Sequence, residues 1–347
     1  MNKSATPRRA RLFRRLARTL AFAFVVAAPT AGLAQEAPAC GGRDLSQQAA
    51  DHPQALSQAL TARRDWLVNS QGLLWRIDKS GVAPSYLYGT VHSTDERAVA
   101  LARQAADYIK GAKVVATELG GPLDKATLAE LGANLLVKAL DRDNDTLAAI
   151  GSPDDRAAVE KYLDARGINA ELAHHIKLWF LATSTAMPLC EARRQGADLP
   201  IVDNIIAQTG KDLGVKVIGL ETMEEQGDAL ASIDPEVAAT ILVGAAKEPE
   251  ASDNAFATLL NYYAQKKPIE SLPILDASGV MTPKEIAAED AFGVHLLADR
   301  NRVMAERAAP LIDAGGAFIA VGAFHLAGKD GLVATLRERG LSVTRMW

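Results

Sequence analysis

The sequence predicts an α/β fold with a mixed sheet core built from the N- and C-terminal parts of the chain and a large helical insert between them. Short apolar runs typical of strands cluster towards the two ends of the chain, whereas the middle shows helical periodicity. The motif Gly-x-x-His also occurs twice, as Gly89-Thr-Val-His92 and Gly322-Ala-Phe-His325, and each copy closes an apolar run. We place the strand-rich core at about 65–120, 212–226 and 290–347, and the helical insert at about 123–210 and 230–290.

Residues 1–34 are typical of a secretory signal peptide. Seven basic residues and no acidic ones precede the apolar stretch Leu20–Ala28, and the segment ends in the small residues Gly32-Leu-Ala34. The apolar stretch is too short to span a bilayer as a helix. We predict cleavage after Ala34, which gives a mature chain of residues 35–347 that is periplasmic or secreted and does not span a membrane.

The charge of the mature chain narrows the range of partners. Seven of the 38 Lys and Arg residues lie before Ala34, against 42 Asp and Glu residues, so the mature chain carries a formal charge of −11. An acidic surface of this kind does not favour binding to nucleic acid or to anionic lipid. We therefore expect neither as a partner.

Cys40 and Cys190 are the only two cysteines. In an oxidising compartment they could form one long-range disulfide. The competing interpretation is a buried free thiol at Cys190. Their spacing matches no zinc motif.

The sequence of the first part of the chain predicts a hairpin, a helix and a strand. Leu73–Ile77 and Tyr86–Tyr88 flank a turn and predict a β-hairpin that carries the first motif at its far end. Ser93–Glu96 has the pattern of a capping box, which predicts a helix start directly after His92. Lys113–Glu118 predicts a short buried strand that finishes in a carboxylate.

The remaining elements follow from the same patterns. Val215–Glu221 predicts a second buried strand that ends in a carboxylate, and Asp299–Arg302 is expected on the exposed side of a long helix. Strands are predicted at 317–321 and 342–345. Helices are predicted at 128–140, 154–165, 169–187, 201–208, 235–246, 255–265, 283–311 and 329–339.

Four polar groups therefore end predicted strands: His92, Glu118, Glu221 and His325. In open α/β sheets the carboxyl ends of the strands are where ligands bind. Two histidines with one or two carboxylates can hold a divalent metal and leave a position open for an activated water. A histidine and a glutamate can equally act as base and orienting group without a metal. The residue types allow both a metal site and a metal-free catalytic pair.

A family resemblance rests on these motifs and on several further residues. They are Gly72–Ile77, Pro84–His92, Glu118, Asp203, Gly219–Thr222, Gln226, Arg300–Asn301 and Val321–His325. On these residues the chain resembles the TraB/GumN family, which also includes the PrgY pheromone-shutdown proteins and the TIKI proteases. The resemblance extends from about Gly72 to the end of the chain. It implies an α/β core similar to that of erythromycin-esterase-like and ChaN-like proteins.

The TIKI branch of the family implies a metal-dependent peptidase. The matching residues are His92 and His325 as metal ligands, and Glu118 as a ligand or a base; Glu221 is an additional candidate ligand from its position. The implied metal is a divalent ion such as Mn, Co or Zn. Arg300 matches an arginine that could face the cleft and bind an anionic substrate group or an oxyanion. Because this chain lacks the membrane anchor of TIKI, we do not expect a Wnt-like substrate.

We therefore expect an exported metal-dependent hydrolase that acts on a peptide or a small molecule. The alternative is a non-catalytic binder of a peptide or of haem, or an accessory factor in polysaccharide export, the last by analogy with GumN alone. The sequence has no Cys-x-x-Cys-His motif, so covalent haem is excluded. Tyr86 or Tyr88 could ligate iron, although packing is the favoured interpretation for aromatic residues of a hairpin.

Overall fold

Six apolar segments pair into one mixed sheet in the computed structural model, which describes residues 39–122 and 125–347. The predicted signal peptide, 1–34, lies outside the described residues. The strands are β1 (Leu74–Asp78), β2 (Ser85–Thr90), β3 (Val114–Thr117), β4 (Lys216–Gly219), β5 (Ala317–Gly322) and β6 (Ser342–Arg345). Their order across the sheet is β4-β3-β5-β2-β1-β6. The predicted α/β class and mixed sheet are confirmed.

The strand directions bring distant parts of the chain together. β1 and β2 form the predicted antiparallel hairpin, and β6 pairs antiparallel with β1. In the other half of the sheet, β2, β5, β3 and β4 run parallel to one another. The central strand β5 is buried along Ala317–Val321, as expected for a parallel strand that is covered on both faces. The carboxyl ends of the four parallel strands therefore share one edge of the sheet.

The segment Val215–Glu221 is a strand at its centre, but the prediction that it is buried holds only for its last two residues, Leu220 and Glu221. β4 lies at the outer edge of the sheet and pairs only with β3 among the described strands. Lys216 and Gly219 are exposed, and the two residues between them are half-buried. An apolar run of this length does not distinguish an edge strand from a central one.

Helices cover both faces of the sheet and form the middle of the chain. In chain order they are α1 (Ser46–Ala50), α2 (Pro53–Ala62), α3 (Glu96–Ala106), α4 (Lys125–Ala139), α5 (Pro153–Ala165), α6 (Ala170–Ala173), α7 (Leu178–Ala186), α8 (Leu189–Gly196), α9 (Val202–Asp212), α10 (Met223–Ala231), α11 (Pro235–Lys247), α12 (Pro249–Ala264), α13 (Ser271–Ala277), α14 (Pro283–Ala314) and α15 (Leu332–Glu338). Single 3₁₀ turns lie at Asp107–Ile109, Thr146–Ala149, Pro268–Glu270 and Ala323–His325. No single helix of the described residues is long and apolar enough to cross a membrane, although α10 and α11, bent by 85°, pass that test as a pair.

Two local predictions in the helices were wrong. The segment 169–187 is not one helix, because it forms α6 and α7 around a break in which Lys177 N–H donates to the Ala139 carbonyl. The start of α3 has no Ser93–Glu96 capping box. Asp95 is the N-cap and its carboxylate accepts a hydrogen bond from Arg97 N–H, while Ser93 Oγ accepts from Asp95 N–H.

The long helix α14 connects the helical part of the chain with the sheet. A capping box between Thr282 and Glu285 begins it, and its 32 residues extend about 48 Å. Leu296 packs against the apolar core of the helical part, whereas Met304 and Ile312 pack against the sheet. The side chains between these two ends, including Arg300, therefore lie where the helical part meets the edge of the sheet.

Candidate functional site

The two Gly-x-x-His motifs lie side by side because β2 and β5 are adjacent parallel strands. Gly89 pairs with Val321, and Thr90 pairs with Gly322. A Cβ atom added at Gly89 would lie 3.0 Å from both Cα and Cβ of Ala323, inside the second motif. Glycine is thus needed here for close approach of the backbones. The two histidines consequently leave the sheet at the same edge.

Arg300 joins the two glutamates that follow the strands β3 and β4. Its Nη2 donates to Glu118 Oε2 at 2.8 Å and to Glu221 Oε2 at 2.6 Å, and its Nε lies 2.9 Å from Glu221 Oε1. All three side chains are at least 85% buried. The prediction that Asp299–Arg302 lies on the exposed side of its helix was wrong for Arg300 and Asn301, which face inward.

Glu118 is held from both sides. Gly322 N–H donates to its Oε1 at 2.7 Å, and Gln226 Nε2 donates to its Oε2 at 3.0 Å. Gln226 also lies 3.3 Å from Glu221. The carboxylate therefore has a fixed orientation, with Oε1 directed at the second motif.

His325 is buried and holds one defined tautomer. Asn301 Nδ2 donates to the Asp330 carbonyl, so Asn301 Oδ1 faces the imidazole and accepts from His325 Nδ1–H at 2.7 Å. Nε2 is then the unprotonated nitrogen, and it lies 3.8 Å from Glu118 Oε1. Burial lowers the pKa of His325 to about 4, with Arg300 and His92 adding to the effect and Glu118 opposing it. The ring is neutral at pH 7.

His92 has the opposite charge state. Asp203 Oδ2 lies 2.9 Å from its Nδ1, and Thr90 donates to the other Asp203 oxygen at 2.6 Å. The charge of Asp203 raises the pKa of His92 to about 9. The side chain is 59% exposed, so an imidazolium at this position is solvated. At neutral pH the site thus presents one charged and one neutral histidine.

Glu118 lies within the electrostatic reach of both histidines. Burial alone would raise the pKa of Glu118, but positive charge on His325, Arg300 and His92 and the Gly322 N–H bond outweigh this and lower it to about 2. Because His325 is neutral above about pH 4, Arg300 and His92 are the charges that keep Glu118 ionised at neutral pH.

The five residues expected to form the site, His92, Glu118, Glu221, Arg300 and His325, belong to one cluster. They have the donor types of a metal site, and both histidines bind an outer partner through Nδ1, as metal-bound histidines do. Glu221 is not available as a ligand, however, because it gives both oxygens to the Arg300 guanidinium. Across residues 39–122 and 125–347, no three His, Cys, Asp or Glu side chains are grouped so as to hold an ion.

The match to a protein family agrees with this geometry. The model of the TraB/PrgY/gumN family matches residues 73–345, a range that contains both motifs and the six strands of the described residues. The chain belongs to the TraB/PrgY/gumN family. No curated protein matches it, and no solved structure matches it either. The narrower expectation of an erythromycin-esterase-like or ChaN-like fold stays a prediction for this member of the family.

Three residues of this TraB/PrgY/gumN family member complete the site although sequence reasoning gave them no role. Asp203 and Asn301 orient the histidines, and Gln226 binds both glutamates. In the sequence, only the family resemblance points to these three residues. Asn301 follows Arg300 on α14, so that neighbourhood is the one local signal that pointed to it.

The loop after the first motif is held by α8, which begins next to a disulfide. Cys40 and Cys190 are bonded, so the prediction of a disulfide is confirmed. The buried Glu191 accepts from Thr94 N–H at 2.7 Å, and Gln195 Nε2 donates to the His92 carbonyl at 3.1 Å. The disulfide therefore fixes the helix that holds the backbone of His92.

The two tyrosines of β2 are packing residues. Tyr88 is fully buried and donates to or accepts from Tyr263 Oη at 3.0 Å, and Tyr263 donates to the Gly89 carbonyl. The Tyr86 ring packs against Tyr108 with centroids 4.9 Å apart. These contacts support the packing interpretation over iron ligation.

Proposed function

We propose that this protein is an exported, peptidase-like hydrolase that cleaves a peptide or a small-molecule substrate by acid-base catalysis. The observation that carries the proposal is the difference between the two histidine partners. His92 is paired with a carboxylate, Asp203, and His325 with a neutral amide, Asn301. Environments that push the pKa values of two titratable groups apart are the arrangement that acid-base catalysis requires.

His325 is the proposed base. Its free Nε2 and Glu118 Oε1 are both hydrogen-bond acceptors and lie 3.8 Å apart, so the proposed water lies beside the pair and donates to each at about 2.8 Å. When this water attacks a carbonyl carbon, His325 Nε2 takes the proton. The imidazolium that forms then faces the ionised Glu118, which stabilises it.

His92 is the proposed acid. It is charged at neutral pH, and its exposed ring can reach a substrate that enters from solvent. Its Nε2–H would donate to the developing oxyanion and then to the leaving group. Proton transfer by a positioned side chain of this kind contributes typically about 10²–10⁴-fold to rate.

Arg300 acts in this proposal through Glu118. Four of its five N–H groups are used by Glu118, Glu221 and the Leu296 carbonyl. Two carboxylates already neutralise the guanidinium, which gives less support to the expected binding of a substrate anion. We therefore assign Arg300 and Glu221 as positioning residues that hold Glu118 opposite His325.

Metal dependence is the part of the expected function that this arrangement supports least. Of the ligands expected from the sequence, His92, His325, Glu118 and the additional candidate Glu221, only Glu221 would have to release Arg300. Among the described residues, however, no three such side chains are grouped so as to hold an ion. A divalent ion such as Mn, Co or Zn at this site stays a prediction. The proposed steps use none.

Export is supported by the disulfide. Bonds such as Cys40–Cys190 persist in oxidising compartments and are rare in the reducing cytosol. This agrees with the signal peptide predicted at residues 1–34. Periplasmic or secreted localisation is therefore part of the proposal, and fractionation of cells that express the full chain tests it.

The test of the function is turnover by the purified protein of a peptide library and a panel of small esters and amides. His325→Gln and His92→Gln each abolish turnover, while His52→Gln, at an exposed position outside the cluster, retains it. Activity persists after treatment with a chelator that strips transition metals. Wild-type protein that binds library members and never cleaves them would contradict the proposal and favour the non-catalytic alternative. Loss of activity on chelation that is restored by Mn, Co or Zn would contradict the metal-free mechanism.

A further inference from the structure

Helix α8 holds the loop after the first motif through polar contacts. Glu191 accepts from Thr94 N–H at 2.7 Å and from Thr94 Oγ1 at 3.2 Å. Arg194 Nε donates to the same hydroxyl at 2.7 Å, and Gln195 Nε2 donates to the His92 carbonyl at 3.1 Å. Thr94 and Glu191 are both buried. The position of the His92 backbone therefore depends on the position of α8.

The helix α8 has little apolar packing of its own. It is eight residues long, and Glu191 is its only buried residue. Helices this short are not stable alone in water, and most helices in proteins are stabilised by a buried apolar face. Cys190, the second residue of α8, is bonded to Cys40. The disulfide is therefore the contact that can compensate for the missing apolar face.

The other end of the disulfide is fixed on α12. Three residues after Cys40, Arg43 N–H donates to Asn254 Oδ1 at 2.9 Å, and Leu45 N–H donates to Thr258 Oγ1 at 3.0 Å. The Leu45 side chain is buried. The disulfide thus ties α8 to α12 by a route that does not pass through the loop after the first motif.

We propose that the Cys40–Cys190 disulfide is a site of thiol–disulfide exchange, and that its reduction by a dithiol lowers hydrolysis by releasing α8 from the loop that carries His92. Cys40 is exposed and Cys190 is half-buried, so an incoming thiolate attacks Cys40 Sγ. A mixed disulfide forms on Cys40 as the bond to Cys190 breaks. Cys190 leaves as a thiolate in the first turn of α8, where the helix dipole favours negative charge.

The second thiol of the dithiol completes the exchange. It attacks the sulfur of its own molecule in the mixed disulfide and releases Cys40. Two electrons pass from the dithiol to the protein, the dithiol becomes a disulfide, and its two thiol protons go to Cys40 and Cys190. Oxidised glutathione reverses the reaction and is itself reduced to two molecules of glutathione. The effect on turnover rests on the proposed function, whereas the release of α8 can be measured without a substrate.

The release of α8 is tested by amide hydrogen exchange on the full chain, at a temperature well below its unfolding transition. With dithiothreitol, the Thr94 amide should exchange about tenfold faster, because its acceptor Glu191 moves away, and oxidised glutathione should restore the slow rate. The Glu221 amide is the matched control, since it donates to the Glu118 carbonyl at 2.8 Å on the far side of the cluster. An unchanged Thr94 rate, or equal acceleration of both amides, overturns the proposal.

The effect on catalysis is tested with a substrate found in the turnover panel. Dithiothreitol should lower kcat about tenfold or more, because the proposed acid is displaced, and oxidised glutathione should restore it. The double variant Cys40→Ser/Cys190→Ser should have the low kcat and no response to dithiothreitol. Reduced protein that keeps its full kcat overturns the proposal. So does reduced protein that loses its circular dichroism, because the bond then only maintains the fold.

Variants of α8 with an intact disulfide separate the loop contact from overall stability. Gln195→Leu removes the donor to the His92 carbonyl, so it should reproduce part of the loss in kcat without the fall in unfolding temperature. Arg193→Ala, at an exposed position of α8, is the matched control and should keep its activity. Equal kcat of the two variants contradicts the proposal. Wild-type protein that cleaves nothing refutes the hydrolase alone, since exchange at Thr94 still decides whether the disulfide controls the loop.

Discussion

Oε1 of Glu118 lies 3.8 Å from Nε2 of His325, and at neutral pH both atoms are hydrogen-bond acceptors. Glu118 is kept ionised by Arg300 and His92, and His325 is kept neutral by burial. A water molecule that lies beside the pair, about 2.8 Å from each atom, would therefore donate to both. The predictions below follow from this relationship and from the contacts that maintain it.

The rate of hydrolysis should depend on pH through both histidines. His325 must be neutral, so kcat/KM falls as the pH decreases through about 4. His92 must be protonated, so kcat/KM falls as the pH increases through about 9. We expect a broad bell-shaped profile between these limits, which initial rates measured from pH 3 to 10 will check.

Exchanging the two orienting groups should move the two limbs of this profile separately. Asp203→Asn removes the charge that raises the pKa of His92, so the alkaline limb should move to lower pH. Asn301→Asp places a carboxylate on His325, so the acid limb should move to higher pH. A merely structural role for either residue would lower the rate equally at every pH and leave both limbs in place.

Glu118 should contribute to stability in a defined range of acid pH. Its folded-state pKa, about 2, lies below its ordinary value of 4.5, so its contribution is present above pH 4.5 and is lost as the pH falls through about 2. The difference corresponds to about 3 kcal/mol. The free energy of unfolding of Glu118→Gln, measured with urea, should therefore change less with pH over this range than that of the wild type. Glu96→Gln, at an exposed position, is the control, and a Glu118→Gln curve parallel to it contradicts the prediction.

Gly322→Ala should reduce activity more than stability. The added Cβ would lie 3.2 Å from Glu118 Oε1 and 3.5 Å from His325 Cδ2, so the carboxylate must shift by a few tenths of an ångström. Displacement of catalytic groups by about 1 Å can cost about 10²-fold in rate, so we expect a loss of about tenfold in kcat and about 1 kcal/mol in stability. Gly111→Ala is the matched control, since nothing lies within 4 Å of its Cβ. Equal activity of the two variants would show that Glu118 and His325 do not pack tightly against Gly322.

Reduction of the disulfide should destabilise the protein strongly. Cys40 and Cys190 are separated by 150 positions, and closure of a loop of that length stabilises by about 5 kcal/mol in the chain-entropy model. Cys190→Ser should therefore lower the unfolding temperature by as much as treatment of the wild type with a reductant. If reductant leaves the unfolding temperature unchanged, the bond does not form or does not stabilise the fold.

The ends of the central strands could be predicted from the sequence because their signal is local. β2, β3 and β5 are apolar runs followed within a few residues by His92, Glu118 or His325. Since the carboxyl ends of parallel strands meet at one edge, recognising the strands was sufficient to bring these side chains together. The helices in the middle of the chain could be predicted as well, because hydrophobic periodicity is also a local signal.

The orienting residues could not be predicted in this way because their contacts are not local. Asp203 lies at the start of α9 and reaches His92 across 111 positions, and Gln226 reaches Glu118 across 108. The hydrophobic periodicity of the sequence does not indicate which distant residues contact each other. The edge position of β4 was missed for a related reason, since the apolar run at Lys216–Gly219 carries no information about how many neighbours it has.

The place of β5 in the sheet has a consequence for biosynthesis. This strand lies between β2 and β3, and the hydrogen bond from Gly322 to Glu118 closes across 204 positions. Pairings between such distant segments form slowly. While the ribosome is still making the C-terminal part, β2 and β3 have no strand to join them and the cluster lacks His325. If the cluster catalyses hydrolysis as proposed, a chain that is still on the ribosome therefore has no base with which to do so.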